Sequence, residues 1–200
     1  MSEQLPVRVQ WFGTLDSLSD AFPKRVEREE QLETWLKQDI SMISTDYMVI
    51  ARQVTTDFGG VIDLLCQDST GDIVVAELNR GKTPREVTAQ ALDYASWVTD
   101  LSHQRITEIA NDYLAENKSL ETAFQVNFGD ELPETLNEGH SMLIVAESMD
   151  SGRERIVKYL PAQCIRINAL TVQHFSGEDG KELLAHLTKN FAPHPENVAT

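Results

Sequence analysis

Short runs of apolar residues predict three consecutive β-strands in the first half of the chain. The runs are YMVIARQV (47–54), GVIDLLCQ (60–67) and DIVVAELN (72–79), and each is rich in aliphatic and β-branched residues. The link DSTGD between the second and third runs consists of turn-forming residues, so these two strands are predicted to form a hairpin. Near the start of the chain, VRVQWF predicts one more short strand, followed by a loop with Pro23.

Apolar positions at helical spacing predict helices on both sides of the three strands. One helix is expected from about Lys24 to Gln38, and another over about 104–117. The strongest helical signal lies between them, in TPREVTAQALDYASWVTDL, where Thr83 and Glu86 form a capping box and Pro84 fits the first helical position. The apolar residues that recur on one face of this helix are Val87, Ala91, Tyr94, Val98 and Leu101.

The last third of the chain alternates strand-like and helix-like segments. After an acidic loop (128–140), the pattern predicts a strand over 141–147 and a helix over about 151–160, then a strand over 164–175 and a helix over about 180–189. The complete order is α-β-β-β-α-α followed by β-α-β-α. That order predicts an α/β domain with a mixed central sheet.

The length and composition fit one folded domain. With 200 residues, 41% of them hydrophobic, we interpret the chain as a single domain with a core over 24–102, a helix and acidic loop over 103–140, and a C-terminal α/β extension over 141–190. No apolar run approaches the roughly 20 residues that span a bilayer, and no secretory signal is visible. A cytoplasmic protein without membrane association is therefore expected. Cys66 and Cys164 lie among aliphatic residues and are expected to be reduced, buried thiols.

The charge of the chain limits the kinds of partner it can bind. A formal net charge of −15 argues against a general nucleic-acid binder, because phosphate binding needs clustered Lys and Arg. The charge is uneven, however, and Arg80, Lys82 and Arg85 cluster after the third predicted strand. These residues predict a locally positive edge on an acidic body.

The predicted hairpin places two carboxylates next to each other. If its turn is centred on Thr70, Asp63 lies directly across from Glu77, and directly opposed side chains have Cβ atoms about 4.5–5.5 Å apart. Two carboxylates that close repel unless a proton or a cation lies between them. Strand alternation puts both acids on one face of the hairpin. The other face is predicted to hold only apolar residues, namely Ile62, Leu64, Cys66, Val74, Ala76 and Leu78.

Such a pair of carboxylates suits a hard divalent cation. Mg²⁺ favours oxygen ligands and usually takes one or two carboxylates from a protein. Held by Asp63 and Glu77, it would activate a water and stabilise a pentacovalent phosphate. The same spacing also fits an ion-paired strand end, in which Arg80 or Arg52 neutralises the two acids.

The segment that holds these residues resembles a known nuclease family. The run TDFGGVIDLLCQDSTGDIVVAELNRGKTPREVTAQALDYASWV has a Gly-rich turn, an Asp after an aliphatic residue, a hairpin, a strand with Glu near its end, and a helix with a Q-x-x-x-Y pair. It resembles the core of the PD-(D/E)XK nuclease superfamily, and in particular the branch of the NucS-type endonucleases, over roughly residues 26–102. The resemblance implies a restriction-endonuclease-like α-β-β-β-α core.

The resemblance also implies roles for individual residues. Asp63 and Glu77 match the metal-binding acids, and Gln90 with Tyr94 match the helical pair. Gln90 is expected to orient a metal-bound water or a phosphate, or else to pack on the sheet with its amide satisfied by backbone, while Tyr94 is expected to pack. A further acid from the preceding helix is best matched by Glu29, and the implied cofactor is Mg²⁺ or Mn²⁺. The rivals for that further acid are Glu30 and Glu33.

One residue departs from the family pattern. The motif lysine is replaced by Asn79, whose amide can bond a water but lacks the charge that stabilises the transition-state phosphate. Lys82 in the following loop is the candidate substitute cation, whereas Arg80 is expected to point to the opposite face. Together with Arg85, these two basic residues are the candidate nucleic-acid contacts.

Three functions of different classes follow from these patterns. The favoured one is a divalent-metal-dependent endonuclease that hydrolyses phosphodiester bonds of nucleic acid, with DNA as the favoured substrate; its catalytic residues would be Asp63, Glu77, Asn79, Gln90 and Lys82. The second is a catalytically impaired nuclease-fold module that binds nucleic acid or a partner protein. The third is a structural protein whose acids form surface ion pairs. A homodimer is an open alternative, since nucleases that act on two strands often pair.

Overall fold

The computed structural model describes residues 7–12, 21–24, 44–79, 84–114, 119–146, 148–177 and 182–189. Glu29, Glu30 and Glu33, on the first predicted helix, lie outside these residues, as do Arg80 and Lys82. For Asn79 and Arg85 the description covers the backbone and not the side chain.

Among the described residues, eight strands form one mixed sheet. They are β1 Val7–Phe12, β2 Ala21–Lys24, β3 Tyr47–Thr55, β4 Val61–Asp68, β5 Ile73–Asn79, β6 His140–Ala146, β7 Ile167–Gly177 and β8 Glu182–Lys189. Their order across the sheet is β1-β8-β7-β6-β5-β4-β3, and β2 pairs with the C-terminal part of β7. Neighbours β5, β6 and β7 run parallel, while the other pairs are antiparallel.

The helices make the crossovers that parallel strands require. Helices α1 (Pro84–Thr99), α2 (His103–Leu114) and α3 (Leu120–Phe128) connect β5 to β6, and α4 (Ser151–Tyr159) precedes a 3-10 turn that leads to β7. The predicted α/β class with a mixed sheet is therefore confirmed. The strands of the C-terminal segment extend the same sheet that the central hairpin begins.

Both faces of the sheet carry buried apolar layers. On one face, strands pack against side chains of α1 to α3 such as Tyr94, Ile106 and Phe124, and Val157 of α4 packs near β6 and β7. On the opposite face the strands contribute a second cluster, whose buried members are Val49, Leu64, Cys66, Val74, Ala76, Leu78, Leu143, Val145, Leu170 and Val172. Strand β5 is therefore buried on both sides, as is usual for a central strand with a parallel neighbour.

Two predictions for the ends of the chain are wrong. The segment predicted as a helix over about 180–189 instead forms β8, so the C-terminal order is β-α-β-β. Its apolar spacing resembles a helix locally, but β1 and β7 pair along both of its edges, and these backbone pairings outweigh local spacing. The predicted loop around Pro23 contains β2, and Lys24 ends that strand rather than starting a helix.

Helix α3 is a third difference, because the pattern analysis predicted no helix there. Ser119 is its N-cap, and its hydroxyl accepts a hydrogen bond from the backbone N–H of Thr122. Gly129 ends the helix with a positive φ of 82° and donates its N–H to the carbonyl of Gln125. Leu120 and Phe124 are fully buried, so two apolar residues and two caps suffice for this short helix.

The two cysteines have opposite environments. Cys66 is buried in β4, as predicted, and burial raises the pKa of its thiol to about 12. The prediction of a buried Cys164 is wrong, because this residue is exposed and follows the 3-10 turn at a positive φ of 62°. The following strand starts only at Ile167.

Candidate active site

The β4–β5 hairpin has the predicted register. Its pairs run from Gln67 opposite Ile73 to Leu64 opposite Ala76. The paired residues end at Leu64 and Ala76, one position before Asp63 and Glu77. The hairpin is closed at its far end by Asp68, whose Oδ1 accepts hydrogen bonds from the N–H groups of two turn residues.

The carboxylate of Asp63 replaces a backbone partner where the ladder ends. In the hairpin register, Leu78 would face Ile62, yet the Leu78 N–H donates to Asp63 Oδ2 at 2.9 Å. An ionised acceptor for a backbone N–H makes a stronger hydrogen bond than a neutral carbonyl. The bond therefore fixes the Asp63 carboxylate against the residue that follows Glu77.

Gln53 holds the other oxygen of the same carboxylate. Its Nε2 donates to Asp63 Oδ1 at 3.3 Å from strand β3. The backbone of Gln53 has a positive φ of 48°, which a non-glycine residue adopts only when its surroundings impose it. The β3–β4 register also shifts between Val49 and Ala51. The strand irregularity thus accompanies an amide that binds the Asp63 carboxylate.

Alternation along β4 breaks near this irregularity. Ile62 was predicted on the face of Leu64, but it packs in the helix-covered cluster with Leu65 and Val75. The left-handed backbone of Gln53 interrupts the pleat of β3 beside this part of β4. The remaining predicted members of the apolar face, Leu64, Cys66, Val74, Ala76 and Leu78, do cluster together.

Glu77 is a carboxylate in the sheet interior. Its side chain is only 2% exposed, and its backbone pairs with Ile144 of the parallel strand β6. Within the described part of the chain, the other buried polar residues are Thr56 and Gln67, which carry no charge. Burying an ionised carboxylate is costly unless it is paired or binds a cation. A carboxylate this deeply buried therefore needs polar or charged partners, and a bound cation is one that could serve.

Gln90 and Tyr94 form hydrogen bonds that link α1 to the start of β4. Gln90 Nε2 donates to Tyr94 Oη at 2.6 Å, and the same oxygen accepts the N–H of Val61 at 3.1 Å. Tyr94 is 3% exposed, which agrees with its predicted packing role. The hydroxyl therefore links the helix to β4 two residues before Asp63.

The loop between β3 and β4 is shaped by the same helix. A side chain at Gly60 would overlap the ring of Tyr94, so glycine is required there. One helical turn further on, Trp97 Nε1 donates to Asp57 Oδ2 at 2.9 Å. Contact with α1 thus explains Gly60, whereas Gly59 has open space around it and is favoured by its positive φ of 87°.

Sequence reasoning missed Gln53 and the Trp97–Asp57 bond. A polar residue in β3 directly across from Asp63 is the signal that could have found Gln53. In the β3–β4 register Arg52 lies opposite Leu64, one position away from Asp63. Its predicted neutralising role stays a prediction.

The described residues alone do not complete a metal site. They contain no group of three or more His, Cys, Asp or Glu side chains placed to hold a metal ion. Asp63 is linked to the residue after Glu77 through the Leu78 N–H, while the third predicted ligand, Glu29, lies outside the described residues. No helix in the described part of the chain has the length and apolar character needed to cross a membrane.

One family match covers this site. Residues 28–120 match the family described as the Endonuclease NucS C-terminal domain, which is just under half of the chain. The match includes β3 to β5 and α1, and therefore Asp63, Glu77 and Gln90. No curated protein matches the chain.

Two solved structures are similar to the chain. One is described as a repair endonuclease from Pyrococcus abyssi, with 17% identity and a TM-score of 0.43, and the match covers 74% of this chain and 49% of that one. The other is described as an EndoMS–dsDNA2 complex, with 19% identity and a TM-score of 0.42, covering 74% and 48% of the two chains. The similarity thus spans about half the length of each solved chain. At these scores, neither structure assigns a role to a residue here.

Proposed function

We propose that this protein is a divalent-metal-dependent nuclease that hydrolyses phosphodiester bonds of nucleic acid at Asp63 and Glu77. The observation that carries the proposal is the position of these two acids at one end of the β4–β5 hairpin, inside the segment that matches the NucS C-terminal domain family. DNA is the proposed substrate, and RNA is to be tested beside it.

The donor set fits a magnesium or manganese ion. Both groups are carboxylates, which are the ligands that hard divalent cations prefer, and one of them is 2% exposed. Mg²⁺ or Mn²⁺ held there would lower the pKa of a bound water and stabilise charge on the phosphate. A bound cation would also offset the cost of burying the Glu77 carboxylate.

The other residues of the site position these acids. Gln53 and the Leu78 N–H each donate to one oxygen of Asp63, so the carboxylate keeps one orientation. Tyr94, supported by Gln90, anchors the start of β4 to α1. Gln90 therefore acts through Tyr94 in addition to any contact with water or phosphate.

The test is a cleavage assay on labelled single-stranded DNA, double-stranded DNA and RNA, with Mg²⁺, with Mn²⁺ and with a chelator. We expect metal-dependent products from the wild type and a loss of at least about 100-fold in Glu77→Gln, because the amide keeps the shape but cannot offer a charged ligand. Asp93→Asn, a change of an exposed acid on α1, serves as the matched control. Metal-independent cleavage, or equal rates in wild type and Glu77→Gln, would refute the proposal.

A nuclease-fold module that binds without cutting is the second candidate. It is favoured by Asn79, which stands where the family lysine would supply charge, and by the net charge of −15. The variant Asn79→Lys separates the two candidates. If the wild type binds nucleic acid but does not cut, and Asn79→Lys cuts, then the scaffold is intact and only the cation is missing.

A further inference from the structure

Phe58 is an aromatic side chain displayed to solvent. It is 68% exposed in the turn between β3 and β4. Large apolar side chains with this degree of exposure are few in the described part of the chain; the others above half exposure are Val126 and Tyr159. A single exposed apolar residue needs no explanation by itself. The exposure of Phe58 needs an explanation because of how the turn around it is built.

The turn holds Phe58 on a rigid frame. Backbone bonds join Thr56 N–H to the carbonyl of Gly60 at 2.8 Å, and Gly59 N–H to the carbonyl of Thr56 at 3.0 Å. The Thr56 hydroxyl also accepts the Gly60 N–H at 3.1 Å. Asp57, the residue before Phe58, accepts the bond from Trp97. Both neighbours of Phe58, Asp57 and Gly59, are thus held by hydrogen bonds, while the Phe58 side chain is exposed to solvent.

The ring lies at the same end of the sheet as the two carboxylates. Asp63 is the third residue of β4, so only two residues, or about 7 Å of strand, separate it from the end of the turn. Val61, which starts the strand, is 40% exposed and lies between the turn and Asp63 along the chain. A nucleic acid held at Asp63 would therefore pass close to the Phe58 ring.

The charge of the protein makes a stacking contact useful at this place. A chain with a net charge of −15 gains less from general phosphate attraction than a basic nuclease does. Stacking of a base on an aromatic ring is uncharged and accepts every base. We propose that Phe58 binds nucleic acid by stacking on an unpaired base next to the phosphodiester held at Asp63 and Glu77. This inference rests on the proposed nuclease function.

The stacking partner must be a base outside a continuous duplex. In a paired duplex both faces of an internal base are covered by its neighbours, so a protein ring reaches a face only at an end, a mismatch or a single strand. The substrate class implied by Phe58 is therefore a nucleic acid with at least one unstacked base.

Binding is measured by fluorescence anisotropy with labelled oligonucleotides, with the wild type as the parent and with Ca²⁺ in place of Mg²⁺ to slow cleavage, so that both acids remain available to bind a cation. We expect Phe58→Ala to weaken binding of a single-stranded oligonucleotide by about 5- to 150-fold, the range for loss of one stacked base. Phe58→Trp should bind like Phe58, because it keeps the flat ring, and Phe58→Leu should resemble the alanine variant. The fold-loss should be the same at low and high salt, since stacking releases no counterions.

Val126→Ala is the matched control, because it removes an apolar side chain that is 79% exposed on α3. It should bind as the parent does, and a melting curve of each variant shows that the fold is kept. On a fully paired duplex without free ends, Phe58→Ala should also have no effect.

Two kinds of failure are distinguishable. If the wild type cuts nucleic acid but Phe58→Ala binds single strands as the parent does, the stacking inference is wrong and the proposed function stands. If the wild type neither binds nor cuts any member of the panel, both are wrong. Equal losses for Phe58→Ala and Phe58→Trp would also contradict stacking, because the ring would then be acting through its particular shape.

Discussion

The Tyr94 hydroxyl offers a sharp test of how α1 supports the site. Replacing Tyr94 with Phe removes one oxygen and leaves the ring, which is 3% exposed and packs against Gly60. That oxygen accepts two hydrogen bonds, from Val61 N–H at 3.1 Å and from Gln90 Nε2 at 2.6 Å. Tyr94→Phe therefore tests these bonds with little change in apolar packing.

The expected cost follows from the two lost bonds. A neutral intramolecular hydrogen bond contributes about 0.5–1.5 kcal/mol net, and a donor left without a partner costs more when it is buried. The Val61 N–H is partly buried and the Gln90 amide can reach water, so we expect the free energy of unfolding to fall by about 1–2 kcal/mol. Since β4 would be less firmly anchored, cleavage should fall by more than the change in folded population explains.

Urea unfolding followed by tryptophan fluorescence measures this change; Trp97, which is 4% exposed beside the same turn, contributes to the signal together with Trp11 and Trp35. Tyr159→Phe is the matched control, because this tyrosine is 61% exposed and should shift the free energy by less than about 0.5 kcal/mol. If Tyr94→Phe unfolds at the same urea concentration as the wild type, the hydroxyl does not anchor β4 and the positioning role assigned to Gln90 through it is wrong.

Three further predictions concern single residues. Because burial raises the pKa of Cys66 to about 12, a thiol reagent at about pH 8 should label only Cys164 in the native protein, and rapid labelling of both cysteines would contradict the burial. Burial, and then the positive charge of Arg166, lower the pKa of His140 below 6.5. The unfolded chain therefore binds more protons at this residue, so His140 should make the free energy of unfolding rise with pH through about 6.5. An NMR titration midpoint of His140 at or above 6.5 would refute this. Gly60→Ala should lower the free energy of unfolding by about 1–3 kcal/mol, because its methyl group overlaps the ring of Tyr94, and an unchanged melting temperature would show that the turn can shift.

The centre of the fold was predictable because local signals and long-range pairing agree there. The turn residues between β4 and β5 fix one register, which is observed from Gln67 opposite Ile73 to Leu64 opposite Ala76. Helix α1 is specified by its apolar face, whose predicted members Ala91, Tyr94 and Val98 are all buried. In these segments the same apolar positions specify the local helix or strand and form the buried core.

The ends of the chain were less predictable because their structure depends on distant partners. Strand β8 has apolar residues at spacings that also fit a helix, and only its pairing with β1 and β7 decides between the two. The role of Gln53 was missed for a similar reason. It depends on a left-handed backbone and a register shift in β3, and no periodicity in the sequence encodes either. At the site, therefore, the sequence predicts the pair of acids but not the donors that orient Asp63.

The measurement that tests the central claim most directly is binding of Mn²⁺, followed by electron paramagnetic resonance, to the wild type and to variants of the two acids. If Asp63 and Glu77 hold one ion, the wild type should show a site that both Asp63→Asn and Glu77→Gln weaken strongly, whereas the exposed-acid control Asp93→Asn should keep it. The two single variants and the double variant should then have similar effects, because each one disrupts the same site. Undiminished Mn²⁺ binding in Glu77→Gln would contradict the account, since the buried carboxylate would then serve the fold rather than a metal.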